Sequence, residues 1–155
     1  MKIALRSQSP DQTRGIAENL AHTLKISDVL ALSGELGAGK TELVKGLAKG
    51  LGTSQPSAVS SPTYVLLREY PGRLWLYHFD FYRLNSLREI DELGYEEYFD
   101  GDGVSVVEWA DRFPAIFPKR TLWIKLSVTG ETSRLLEIEA AGEGLWEKRL
   151  NKLGG

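Results

Sequence analysis

The chain has 155 residues, 42% of them hydrophobic, with 19 basic against 21 acidic side chains and a formal charge of −2. That size supports one globular domain with one core, expected to span 1–155, and the charge balance excludes a broad electrostatic grip on nucleic acid. No cysteine is present, which excludes a disulfide framework and thiolate metal sites, and no apolar run reaches membrane-spanning length.

The opening MKIALRSQSP turns polar too soon for a signal peptide, so a cytoplasmic protein with no membrane association is expected. Lys2 to Arg6 reads as a strand. Asp11 is placed to N-cap a helix running to about Leu24, with Ile16, Ala17, Leu20, Ala21 and Leu24 on its inward face. Asp28 to Ser33 is a short apolar run suited to a buried strand, and it leads directly into Gly34-Glu35-Leu36-Gly37-Ala38-Gly39-Lys40-Thr41.

This is the G-x-x-x-x-G-K-[ST] pattern of a phosphate-binding loop. Glycine accepts dihedrals closed to residues with a Cβ, so the segment can turn several backbone N–H groups inward as a nest for an anion. Lys40 then reaches the β and γ phosphates and the hydroxyl of Thr41 ligates Mg²⁺. The helix that begins there points its positive end at the same charge. Its sequence, Thr41 to Leu51, places Leu43, Val44, Leu47, Ala48 and Leu51 on one face and is closed by Gly52. Strand, glycine turn and amphipathic helix follow in the order the motif needs, which argues against a flexible glycine-rich turn carrying a solvated lysine.

Beyond the loop, Ser60-Ser61-Pro62-Thr63-Tyr64 reads either as a plain Ser/Pro turn or as a switch segment whose hydroxyl reaches the γ-phosphate or its metal. Thr63 to Tyr70 and Leu74 to Phe79 are β-rich runs joined by Pro71-Gly72-Arg73, a hairpin signal. Ser86-Leu87-Arg88-Glu89 is a capping box that opens a short helix ending near Gly94. Val104 to Val107 is a brief apolar strand. Thr121 to Val128 and Arg134 to Ala140 flank a Thr-Gly-Glu-Thr turn and should pair antiparallel, before a short helix around Leu145 to Leu153. The expected fold is α/β: a three-layer P-loop NTPase fold whose mixed sheet carries added antiparallel edge strands.

Two of these strands end on a carboxylate, in Trp75-Leu-Tyr-His-Phe-Asp80 and in Val104-Ser-Val-Val-Glu108. Ligands of open α/β sheets bind at the carboxyl ends of parallel strands, which would bring Asp80 and Glu108 to the metal beside the loop. Mg²⁺ takes one or two carboxylates plus phosphate and water. Asp80 is assigned to the metal, directly or through water; Glu108 either shares the metal or orients the attacking water. An alternative is a small-molecule kinase, with Asp80 as the base and Arg83 on the acceptor. Such kinases carry a mobile arginine-rich lid, whereas the region after Glu108 here becomes a β-hairpin. A third reading is a module that binds ATP only as structural glue.

Taken together, GELGAGKT, SPTYVL, the stretch His78-Phe-Asp80-Phe-Tyr82-Arg83-Leu84, Glu92-Leu-Gly94 and Val107-Glu108-Trp109 resemble the TsaE (YjeE) family of small bacterial ATPases. These motifs span positions 34 to 109, and weaker terminal patterns extend the similarity over nearly the whole chain. The resemblance implies a part in forming threonylcarbamoyladenosine in tRNAs that read codons starting with A. Its implied partners are TsaD, which transfers the carbamoyl group, and TsaD's paralogue TsaB, with TsaC making the intermediate upstream; contact with tRNA is expected to be indirect.

Carried over by position, it implies that Leu36, Gly37, Ala38, Gly39, Lys40 and Thr41 hold the phosphates of ATP, and that Thr41 and Glu108 bind Mg²⁺ with Asp80 supporting metal or hydrolysis. Thr63 becomes a switch-like residue, counted with Lys40, Asp80 and Glu108 in the catalytic set. Trp109 reports on nucleotide state or lines a partner surface, or is a core tryptophan. For the adenine the candidates are Asp11 and Thr13 at the start of the first helix and Arg134, whose guanidinium plane can stack on a base; Arg134 reads equally as the partner of a nearby acid. Arg83 and Arg88 lie close in sequence, and the chain has no lid long enough to bring an arginine finger of its own. Slow hydrolysis, gated by docking on the TsaB–TsaD pair, is therefore expected.

Overall fold

The computed structural model describes residues 1–141 and 144–153. Seven strands form one mixed sheet: β1 (Lys2–Ser7), β2 (Val29–Ser33), β3 (Leu67–Tyr70), β4 (Trp75–Asp80), β5 (Gly103–Glu108), β6 (Leu122–Val128) and β7 (Arg134–Ala140). Their order across the sheet is β1-β7-β6-β2-β5-β4-β3. The inner four, β6, β2, β5 and β4, run parallel. β3 adds antiparallel on one side, and the β7–β1 pair adds antiparallel on the other. The expected antiparallel strands thus occupy both edges.

Side chains that alternate along the inner strands divide the core in two. Leu30, Leu32, Val104, Val106, Leu122 and Ile124 face helices α1 (Pro10–Ala21) and α2 (Lys40–Gly50). Val29, Ala31, Tyr77, Phe79 and Val107 face the other way, against Ile90 of α3 (Leu87–Glu92) and Phe99 of α4 (Tyr95–Phe99). The inner strands are buried on both faces, so they read as near-continuous apolar runs. A last helix, α5 (Glu147–Asn151), packs Leu150 and the preceding Trp146 onto the α1/α2 side of the core.

Several boundaries differ from the sequence expectation. The N-cap of α1 is Ser9, whose extended backbone lets its hydroxyl accept from Gln12 N at 3.1 Å; Pro10 takes the first helical position and Asp11 falls in the first turn. The strand expected from Thr63 begins only at Leu67. Leu66 N donates to Pro62 O at 2.6 Å and Leu66 adopts φ 71°, so residues 63–66 form a turn. The helix opened by Ser86 does close near Gly94, and Gly94 at φ 69° then serves as cap to α4, an element the sequence reading did not contain. No helix among the described residues is long and apolar enough to cross a membrane.

Candidate functional site

The glycine loop leaves the carboxyl end of β2 at the centre of the sheet and turns into α2. Gly34, at φ 146°, lies so close to β6 that a Cβ there would sit 2.6 Å from Leu126 O, so no other residue fits. Gly39, at φ 102°, is the residue before α2, and Lys40 opens the helix. The Lys40 side chain is 5% exposed. Its ammonium donates to Gly34 O at 2.5 Å and Glu35 O at 3.0 Å and lies 4.1 Å from the centroid of the Trp109 ring. Burial pulls this ammonium below the usual lysine range, while Glu108, Asp80 and Asp111 act in the opposite sense. A cation already desolvated and aimed along the loop is suited to an arriving polyanion.

Arg134 fixes the loop from outside. Its Nε donates to Ala38 O at 3.0 Å and Nη2 to Gly37 O at 3.2 Å, while Nη1 donates to Gly130 O and Ser133 O in the β6–β7 turn at 3.2 and 2.8 Å. All four acceptors are backbone carbonyls, so Arg134 does not act as the partner of an acid among the described residues. Holding carbonyls 37 and 38 on the outside supports the inward turn of the loop amides.

Asp80 and Glu108 end the neighbouring parallel strands β4 and β5 and are register partners. Both are buried, at 1% and 3% exposure. Asp80 Oδ2 accepts from Ser61 Oγ at 2.6 Å and Thr63 Oγ1 at 2.9 Å, and Oδ1 accepts from Tyr82 N at 2.8 Å. These two hydroxyls hold residues 61–63 across the strand ends, which is why the chain does not continue as a ladder there. Glu108 Oε2 accepts from His78 Nε2 at 2.6 Å. His78 lies two residues before Asp80, on the same face of β4.

A cavity of about 490 Å³ joins these groups, lined by the loop and α2 start (Leu36, Gly37, Gly39, Lys40, Thr41), by Ser61, Thr63 and Tyr64, and by Asp80, Tyr82, Glu108 and Trp109. Thus Lys40, Thr41, Thr63, Asp80 and Glu108 come together as expected. Asp11 and Thr13 do not line it. Asp11 is exposed and paired with Arg14, and the Thr13 hydroxyl is buried against Ser7 Oγ at 2.7 Å. Arg83 rests 4.9 Å from the Tyr64 ring at the rim, and Arg88 turns to Glu92 at 3.5 Å on the surface. Trp109, with φ 60°, lies 5.0 Å from Tyr82 with the rings tilted by 47°; it is half-buried, packing on the core with one side and forming a wall of the site with the other. Sequence reasoning missed the contacts of His78 and Ser61; the signal for His78 was its position two residues ahead of Asp80.

The oxygen donors suit a hard dication. The described residues contain no cluster of three or more His, Cys, Asp or Glu able to hold a metal unaided. A hydroxyl from Thr41 and carboxylates from Asp80 and Glu108 instead fit a Mg²⁺ that keeps phosphate and water in its shell.

The family described as "Threonylcarbamoyl adenosine biosynthesis protein TsaE" matches residues 7–136, from the end of β1 into β7. The chain belongs to the TsaE family. The tRNA threonylcarbamoyladenosine biosynthesis protein TsaE of Bacillus subtilis (strain 168) is 42% identical over 142 residues, covering 91% of this chain and 87% of that one. The protein of the same name from Treponema pallidum (strain Nichols) is 40% identical over 132 residues, covering 85% and 96%. Among solved structures, the crystal structure of Bacillus subtilis YdiB superposes with a TM-score of 0.80 and 34% identity over 99% of this chain and 95% of that one.

Proposed function

We propose that this chain is the ATPase component of tRNA threonylcarbamoyladenosine biosynthesis, binding Mg-ATP and hydrolysing it slowly until it docks on the TsaB–TsaD pair. Its place in that biosynthesis rests on the family. The observation that carries the ATPase reading is the single cavity in which loop, lysine, hydroxyl and two strand-end carboxylates meet.

In this reading the amides of residues 36–41 and the α2 N-terminus bind the phosphates, and Lys40 exchanges its two carbonyls for β and γ oxygens. Mg²⁺, when bound, neutralises charge that develops on the transferred phosphoryl group. Thr41, Asp80 and Glu108 would hold it. Glu108 also faces the cavity where a water can attack, and Thr63 moves from Asp80 toward the γ-phosphate as the switch closes. Among the described residues no arginine lines the cavity: Arg83 lies on Tyr64 and Arg88 on Glu92. A partner that supplies or frees a cation would therefore accelerate turnover, and that turnover would reset the TsaB–TsaD complex without passing phosphate to the tRNA. The kinase alternative is less well supported, because the chain after Glu108 passes through two short turns, Ala110–Arg112 and Pro114–Ile116, into the β6–β7 pair and builds no arginine-rich lid among the described residues.

Steady-state phosphate release, measured with and without the TsaB–TsaD pair, is expected to rise on adding the pair. Equal rates would remove the gating, and ATP binding with full biosynthetic function in Glu108→Ala would remove the ATPase reading altogether.

A further inference from the structure

The imidazole of His78 is a polar group in an apolar layer of the core. It is fully buried in the middle of β4, in a layer otherwise built from Leu76, Val104 and Val106, and its Nδ1 has no hydrogen-bond partner. An aliphatic side chain would fill that space without an orphaned polar atom. Its other nitrogen, however, makes the 2.6 Å contact to Glu108 Oε2, and among the described residues no other group hydrogen-bonds to the Glu108 carboxylate. An ionised carboxylate only accepts, so in this bond Nε2–H is the donor.

We infer that His78 is a positioning residue for Glu108: it holds one carboxylate oxygen so that the other is presented to the phosphate cavity. The inference rests on the reading of Glu108 as a group that serves bound Mg-ATP. Two features make the hold rigid. Parallel pairing of β4 and β5 sets His78 opposite Val106 and Asp80 opposite Glu108, so the histidine lies one side-chain step behind the glutamate on the same face. Neither side chain has freedom elsewhere, since His78 is 0% and Glu108 3% exposed. A glutamate left without this donor would have no bond to fix the orientation of its carboxylate, and its oxygen would meet the dication or the water in only a fraction of its rotamers.

The test uses the full chain with His78→Gln, His78→Asn and His78→Leu. The Gln amide N–H reaches the place of Nε2, the Asn amide is too short, and Leu donates nothing. Three quantities are read: thermal unfolding without nucleotide, Mg²⁺ titration of the binding of a fluorescent ATP analogue, and phosphate release. With Leu, the buried Glu108 carboxylate loses its donor, so the unfolding temperature is expected to fall, while nucleotide affinity without Mg²⁺ should stay within about twofold. The Mg²⁺ needed for half-maximal effect should rise about tenfold or more, and kcat should fall similarly with little change in KM. Gln should recover most of both losses and Asn should not. An unchanged Mg²⁺ requirement in the Leu variant overturns the inference, as do Gln and Asn behaving alike, the comparison that decides if the Leu variant does not fold. A wild-type chain whose nucleotide binding ignores Mg²⁺ removes the underlying Glu108 reading instead, and the inference with it.

Discussion

Arg134 stands at the first position of β7 and hydrogen-bonds to carbonyls of the phosphate loop and of the β6–β7 turn. Bonds from a charged donor are worth about 1.5–3 kcal/mol each, so releasing the two to Ala38 and Gly37 should let the loop carbonyls turn inward. Arg134→Ala is expected to weaken ATP by about tenfold or more, and calorimetry should show inorganic triphosphate weakened to the same degree. If triphosphate binding is untouched while ATP is lost, Arg134 serves the base and not the loop. At this scale much of the site is legible from the sequence. Gly34 to Thr41 carries its spacing openly, and Asp80 and Glu108 stand out as acids closing apolar runs. The His78–Glu108 and Ser61–Asp80 contacts do not, because each joins residues whose proximity is set by strand register and a turn, not by local pattern.

At the scale of elements, the seat of the loop depends on how tightly α1 lies on α2. Gly46 and Gly50 form the crossing: a Cβ on Gly46 would fall 2.3 Å from Arg14 O, and one on Gly50 2.5 Å from Ala21 Cβ. Gly46→Ala must push the helices apart and is expected to cost about 1–3 kcal/mol in denaturant unfolding. Gly15, in the middle of α1, meets nothing within 4 Å, so Gly15→Ala should stabilise by about 0.5–1 kcal/mol. Opposite signs for two Gly→Ala changes on facing helices would establish the crossing; equal signs would refute it. The helix α2 and all the inner strands were readable, since their apolar runs match the period of a helix face or a doubly covered strand. The residues 63–66 were misread as strand because Thr, Tyr and Val favour strands locally. The Ser61 and Thr63 hydroxyls on Asp80 and the left-handed Leu66 override that preference.

For the molecule as a whole, the carboxyl-terminal segment is bolted to the base of the central strand. Arg149 donates to Asp28 Oδ2 at 2.6 Å, with side chains only 14% and 7% exposed, and Trp146 Nε1 donates to Arg120 O at 2.7 Å. Removing one member of so enclosed a pair leaves an uncompensated charge, so Asp28→Ala should lower unfolding free energy by about 3 kcal/mol; a loss under about 0.5 kcal/mol in urea titration would make it a surface bridge. The α/β class and the antiparallel hairpins were legible, whereas the order of strands was not, because β1 pairs with a segment from the far end of the chain. That order has a consequence for synthesis. The strand that carries the phosphate loop is flanked by β5 and β6, residues 103–108 and 122–128, and the clamp on the loop is residue 134. A nascent chain emerging from the ribosome therefore holds its entire phosphate-loop motif for about sixty residues before the first flanking strand arrives, and for about ninety before Arg134 does, so the loop is supported only late in translation.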